Sequence, residues 1–176
     1  ALADYRKFLN VDALSGARIG VVRSKSFGLG PKVDPVLESA IVAMKSKGAT
    51  VIEVELKDLE TIGDSEFEVL LYEFKADLEA YLAKRPGSKV KTLADLIAFN
   101  KANASAELPF FGQEILEMAE KKGPLTEKAY LDALAKNHEV TRTKGIDAVI
   151  DAEKLDALVS IANGPAWPID HVNGDA

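Results

Sequence analysis

Apolar positions along this chain change period several times, and each change marks an element. Residues 18–22, RIGVV, are a short, apolar, β-branched run that predicts a strand. A loop containing Gly28, Gly30 and Pro31 follows. Asp34 then offers an N-cap and Pro35 a first helical residue, where proline lacks only an N–H that would be unpaired anyway. Leu37, Ile41 and Met44 recur at helical spacing until Gly48 supplies the stop. Residues 50–56, TVIEVEL, alternate Ile52, Val54 and Leu56 with Glu53 and Glu55, the period of a strand with one wet face. Strand, helix, strand is a βαβ unit, for which a right-handed parallel crossover is expected.

The middle of the chain predicts helices. Asp64 can cap the first, whose apolar stripe runs Phe67, Leu71, Phe74, Leu78 and Leu82 and ends at Arg85, Pro86 and Gly87. Residues 92–104 and 111–123 predict two shorter helices separated by the Pro109 region. A further helix opens at Thr126 and Glu127 and extends to about Lys154, tolerating Gly145 at a cost of about 1 kcal/mol relative to alanine. Residues 156–161, DALVSI, are apolar on both sides and predict an internal third strand. The expectation is an α/β fold of about three strands and five helices in one region, residues 1–176. Ordinary sheets carry about five or six strands, so this sheet is either covered by helices or completed by strands outside the chain.

Composition narrows the classes. The chain has 176 residues, 47% of them hydrophobic, enough for one sizeable core. Its 22 Lys and Arg stand against 28 Asp and Glu, a formal charge of -6 without charge blocks. Nucleic-acid binding wants a basic face to neutralise phosphates, so no nucleic-acid partner is expected. The absence of Cys excludes disulfides, thiol nucleophiles and Cys-ligated zinc. No apolar run approaches the roughly 20 residues that span a bilayer, so no membrane partner is expected. The opening ALADYRKFLN has neither an initiator Met nor the basic-then-apolar order of a signal peptide, so a mature or excised N-terminus is expected. Localisation stays open.

Candidate chemistry is sparse. In SFGLGPK, residues 26–32, glycines between a strand and a helix could cradle a phosphate, but the spacing matches neither GxGxxG nor GxxxxGK[ST]. Pro31 and Asp34 favour a structural turn with a capped helix. His138 stands in a helix without a ligand-spaced partner and is expected at the surface or core edge. His171 adjoins Asp170, but neighbours in extended structure point apart, so the pair is not a dyad. The pairs Glu66 with Glu68 and Glu114 with Glu117 and Glu120 are better read as a solvated face, given Lys45, Lys47, Lys121 and Lys122. Phe110 and Phe111 after Pro109 suggest a packing anchor. Asn163 to Pro168 follow directly on a buried strand, where open α/β sheets bind ligands. A ligand-facing wall and a plain structural turn fit that segment equally well.

Read together, LSGARIGVVRS, GATVIEVEL, YEFKADLEAYLA, LADLIAFNKANASAELPFFGQEILEMA and LDALVSIANGPAWPIDHVNGD resemble the carboxyl-terminal half of amidase signature enzymes. The nearest likeness is to the peptide amidase branch. It runs from about Leu14 to Asp175, and the order and spacing of the segments make it specific. The resemblance implies a mixed sheet flanked by helices and a Ser/cis-Ser/Lys hydrolase that cleaves carboxamides through an acyl-enzyme. In the family the lysine and the Gly/Ser-rich stretch bearing both serines precede the matched region. The nine Ser here are scattered, no two are adjacent, and none precedes a Gly-Gly, so no catalytic position carries over. By position the resemblance assigns Asn163, Pro165, Trp167 and Asp170 to the cleft wall, and Phe111 and Gln113 to the lining or support of the acyl pocket.

The resulting expectation is a fragment of an amidase acting on carboxamides such as peptide C-terminal amides, inactive alone, with no cofactor and no metal. Its expected partners are a small amide or peptide-amide substrate, the remainder of a longer parent chain, and further copies joined through exposed sheet edges. The competing classes are a self-contained noncatalytic α/β module that binds a ligand or peptide through Trp167, and an interaction domain built on the helical middle.

Overall fold

The computed structural model describes residues 4–23, 30–161, 166 and 168–172. The chain divides into two units: residues 1–57 with 140–167, and residues 58–139 with 168–176.

The first unit is a parallel sheet with its helices. Strand β1 (Arg18–Val22), helix α1 (Asp34–Ser46) and strand β2 (Thr50–Val54) form the expected βαβ unit. Helix α7 (Asp147–Glu153) precedes β3 (Ala157–Val159). The strand order is β2-β1-β3, and both pairings are parallel, with Gly20 opposite Ile52 on one side and Leu158 on the other. This corrects the expectation that the third strand is internal. β1 holds the centre, with Ile19, Val21 and Val22 buried, whereas β3 pairs on one side only among the described residues and its three residues are exposed or half-buried.

Packing explains the choice of central strand. Val21 meets Leu37 and Ile41 of α1, with Met44, Val51, Val159 and Ile161 closing around them. On the alternate face Gly20 has no side chain, and a Cβ there would lie 2.5 Å from Leu155 Cδ1 and 2.6 Å from Leu158 Cδ2. Only glycine lets those leucines close over β1. Arg18 ties the β3 side: its guanidinium donates to the carbonyls of Glu153 and Lys154, and its backbone N–H donates to Asp156 Oδ2 at 2.8 Å. These bonds occupy carbonyls at the α7 C-terminus, where Lys154 takes the left-handed conformation at φ 52.

Several boundaries move. α1 starts at Asp34 with Val33 as its cap residue, so Asp34 lies inside the first turn, where its charge suits the helix dipole. Gly48 ends α1 as expected, at φ +91. The long final helix is interrupted: a π-type segment, Glu139–Ile146, contains Gly145 at φ -99 and ψ -106, outside helical space. A Cβ on Gly145 would sit 2.6 Å from the Val140 carbonyl oxygen.

The second unit is helical: α2 (Gly63–Ala83), α3 (Leu93–Ala102), α4 (Ala104–Glu107), α5 (Glu114–Glu120) and α6 (Lys128–His138). Its core joins Leu71, Leu93, Ile97 and Ala119, flanked by Leu78, Leu96 and Leu116. The buried face of α2 is rotated from the expected stripe. Leu71 and Tyr72 are buried, but Phe67 and Phe74 are 37% and 36% exposed. Tyr72 is drawn in by α6: its ring lies 5.5 Å from that of Tyr130, its hydroxyl donates to Glu127 at 2.6 Å, and Tyr130 donates to Glu73 at 2.8 Å. Ile62, not Asp64, precedes α2 at its cap position. α3 opens with a full capping box, in which Asp95 N–H donates to Thr92 Oγ1 and Thr92 N–H donates to the Asp95 carboxylate, both at 3.0 Å. No described helix is long and apolar enough to cross a membrane.

Candidate functional site

Two of the segments singled out in the sequence meet in the second unit. The first is the stretch from Pro109 to Gln113, which connects α4 to α5. Gln113 occupies the cap position of α5 and is 9% exposed. Its Nε2 donates to the Ile97 carbonyl at 3.3 Å and its Oε1 accepts from Asn100 Nδ2 at 3.1 Å. Both ends of the amide are therefore committed to α3, and Gln113 staples the connection to the core. With that anchor made, Phe110 and Phe111 stand out from the surface, 63% and 45% exposed. This corrects the expectation of a packing anchor.

The second segment is the turn at residues 168–172. Asp170 Oδ1 accepts the Val172 N–H at 2.7 Å, a local side-chain bond that turns the backbone at His171. The His171 imidazole stacks on Phe110, with ring centroids 4.3 Å apart and planes 23° apart. It also meets Phe111 edge-on at 6.4 Å and 76°. Aromatic rings prefer these two arrangements, because the negative face of one ring attracts the positive edge of another. The result is an exposed three-ring cluster next to Asp170. Sequence reasoning set aside both Phe110 and His171; the usable signal was that each adjoins a residue assigned to the cleft.

Asn163, Pro165 and Trp167 lie outside the described residues, as does most of the 26–32 loop. His138 is exposed on α6, as expected. Three of these acids form ion pairs: Glu68 with Lys122 and Glu117 with Lys101, both at 2.7 Å, and Glu120 with Lys75 at 3.4 Å. The hydrogen bond from Lys101 holds the Glu117 carboxyl below the usual range. Such paired carboxylates are poorly placed to exchange protons. Among the described residues no three His, Cys, Asp or Glu side chains gather as a metal site would require.

In the first unit an open groove of about 370 Å³ lies beside the end of β2 and α7, with Val54, Val149 and Ala152 as apolar lining and Glu53, Glu55, Lys57 and Lys144 among its charges. Its mixed charge specifies no chemistry.

With this geometry in place, the comparisons with known proteins converge. Residues 4–174 match the model of the Amidase family. A probable amidase of Arabidopsis thaliana is 36% identical over 165 residues, covering 90% of this chain and 30% of that protein. The structure of the peptide amidase PAM in complex with the competitive inhibitor chymostatin is similar at a TM-score of 0.86 and 38% identity, over 97% of this chain and 35% of that one. The native peptide amidase from Stenotrophomonas maltophilia is similar at 0.83 and 38%, over 96% and 34%. The chain thus spans about a third of the length of these relatives. A match over nearly all of its residues, in sequence and in fold, means that the chain belongs to the amidase family.

Proposed function

We propose that this chain is one partial amidase region, residues 1–176, of an enzyme that hydrolyses carboxamides, with peptide C-terminal amides as the substrate class. The observation that carries this reading is the similarity to peptide amidases at 38% identity over 97% of the chain. The Ser/cis-Ser/Lys triad is assigned to a segment outside the chain. The serine chemistry supports that assignment: Ser39 and Ser46 donate to carbonyls of their own helix, Ser88 donates to the Val90 carbonyl, and Ser65 is shared between the Ile62 carbonyl and Asn137. None of these hydroxyls is aimed at a lysine that could take its proton.

In this reading the chain supplies part of the sheet, a helical layer and one wall of the substrate cleft. Phe111, Asn163, Pro165, Trp167 and Asp170 face substrate, and Gln113, with both amide ends engaged, supports them. The test is ammonia release from a peptide amide. The full-length enzyme releases it and the isolated chain does not; turnover by the isolated chain, blocked by a serine-directed reagent, overturns the placement of the triad. In the full-length enzyme Trp167→Ala raises KM more than it lowers kcat, because a wall residue binds ground and transition states alike. An unchanged KM removes Trp167 from the wall.

A further inference from the structure

The two tyrosines of the α2–α6 contact are buried by the chain's own helices, and their hydrogen bonds run in opposite directions. Tyr72 of α2 donates to Glu127, at the cap position of α6, at 2.6 Å. Tyr130 of α6 donates to Glu73 of α2 at 2.8 Å. Each side thus gives one phenol and takes one. The two positions are adjacent on α2 and three residues apart at the start of α6, and the rings meet with centroids 5.5 Å apart. A slip of α6 by one residue moves its side chains by about 1.5 Å and turns them by about 100°, which breaks both bonds at once.

We propose that the two pairs form one reciprocal clasp, a proton-gated device that holds the start of α6 on α2 while both phenols are protonated and releases it as a unit when they ionise. The surrounding charges set the direction. Tyr72 faces Glu127 and Glu68, and Tyr130 faces Glu73 and Asp77. Lys122 Nζ opposes them from 5.3 Å above the Tyr72 ring, but both oxygens of Glu68 already engage it. The other packed elements commit their charges elsewhere: Glu120 of α5 to Lys75, Asp95 to the first turn of α3, and Lys128 of α6 to Asp132. Hydroxide that takes the proton of either phenol therefore replaces a hydrogen bond with two facing anions. The accepting carboxylates, together with burial, push both phenols up, Tyr72 from 10.0 to about 12. Groups raised in the folded state lend stability that is complete below their unfolded value and lost as pH rises through the folded one. When one bond goes, α6 can shift and uncover the second phenol, so the two proton losses are linked.

The experiment uses the full-length enzyme with its tyrosines isotopically labelled at Cζ, whose NMR shift reports ionisation of each phenol. Tyr72→Phe and Tyr130→Phe keep the ring pair and assign the two signals. In the wild type both signals should titrate together, and Tyr130→Phe should lower the Tyr72 midpoint. At neutral pH, deuterium exchange of peptides covering residues 128–138 reads the opening of α6. Each single variant should raise that exchange about fivefold, the scale of one hydrogen bond. The double variant should exceed either single one by less than about twofold, because the first loss already frees the clasp. Tyr81→Phe, at an exposed tyrosine of α2 outside the clasp, should leave the exchange and both titrations unchanged. Single effects that multiply in the double variant show two independent bonds and overturn the proposal. So does a Tyr72 midpoint indifferent to Tyr130, or an exchange rate that none of the variants alters.

Discussion

Gln113 shows how a single side chain divides between scaffold and site. Its amide donates at one end and accepts at the other, and both partners belong to α3. Replacing it with alanine leaves a buried acceptor and a donor short of a partner, which should cost about 1–3 kcal/mol in urea denaturation. Gln113→Glu is the sharper test. Ionised, it can still accept from Asn100 but sets a charge against the Ile97 carbonyl, so at neutral pH it should be less stable than the alanine variant. Burial raises the pKa of this new carboxyl above its unfolded value, so the penalty should shrink as pH falls through the raised folded value toward the unfolded one and protonation supplies a donor. A denaturation midpoint for Gln113→Glu that does not rise between pH 7 and pH 4 relative to Gln113→Ala would show that the side chain is not held as described.

Gly145, at the scale of the element, reverses an inference drawn from propensity alone. Glycine inside a helix is worth about 1 kcal/mol less than alanine, which makes Gly145→Ala a stabilising change if the helix is continuous. The structure instead places Gly145 in non-helical backbone, with a Cβ position 2.6 Å from a carbonyl oxygen that cannot step aside. Gly145→Ala should therefore destabilise by about 1–3 kcal/mol, read as a lower melting temperature. The α2–α6 contact gives a pH prediction. The carboxylate of Glu127, which accepts the Tyr72 hydroxyl, together with burial, pushes the Tyr72 phenol from 10.0 up to about 12. A pKa raised in the folded state contributes stability that is complete below the unfolded value and lost as pH rises through the folded one. The melting temperature should thus fall between about pH 10 and 12 more steeply in the wild type than in Tyr72→Phe. Equal slopes would remove this contact from the account.

The open side of β3 matters for the whole molecule. Among the described residues, 157–159 pair with β1 alone, and an unpaired strand edge is a template for another chain. Sedimentation equilibrium of the isolated chain should show concentration-dependent self-association, and a monomer throughout would leave the edge protected. The chain spans about a third of the length of each of these relatives.

Wherever local physics is decisive, the sequence alone determined the outcome. The alternation through residues 50–56 gave β2, the Pro35 start and Gly48 stop bounded α1, and Thr92 with Asp95 closed a capping box that needs only neighbours three residues apart. The order of the segments was enough to identify the family. Tertiary structure decided what depends on partners distant in the chain. β1 rather than β3 is central because α1, Leu155 and Leu158 close over its two faces. Tyr72 is buried because Tyr130 of α6 and Glu127 at its cap position meet it. Phe110 faces an imidazole 61 positions away, counted from residue 110 to residue 171. Periodicity registers which side of an element is apolar, but a contact between two exposed rings leaves no period to read, and only the fold could bring them together.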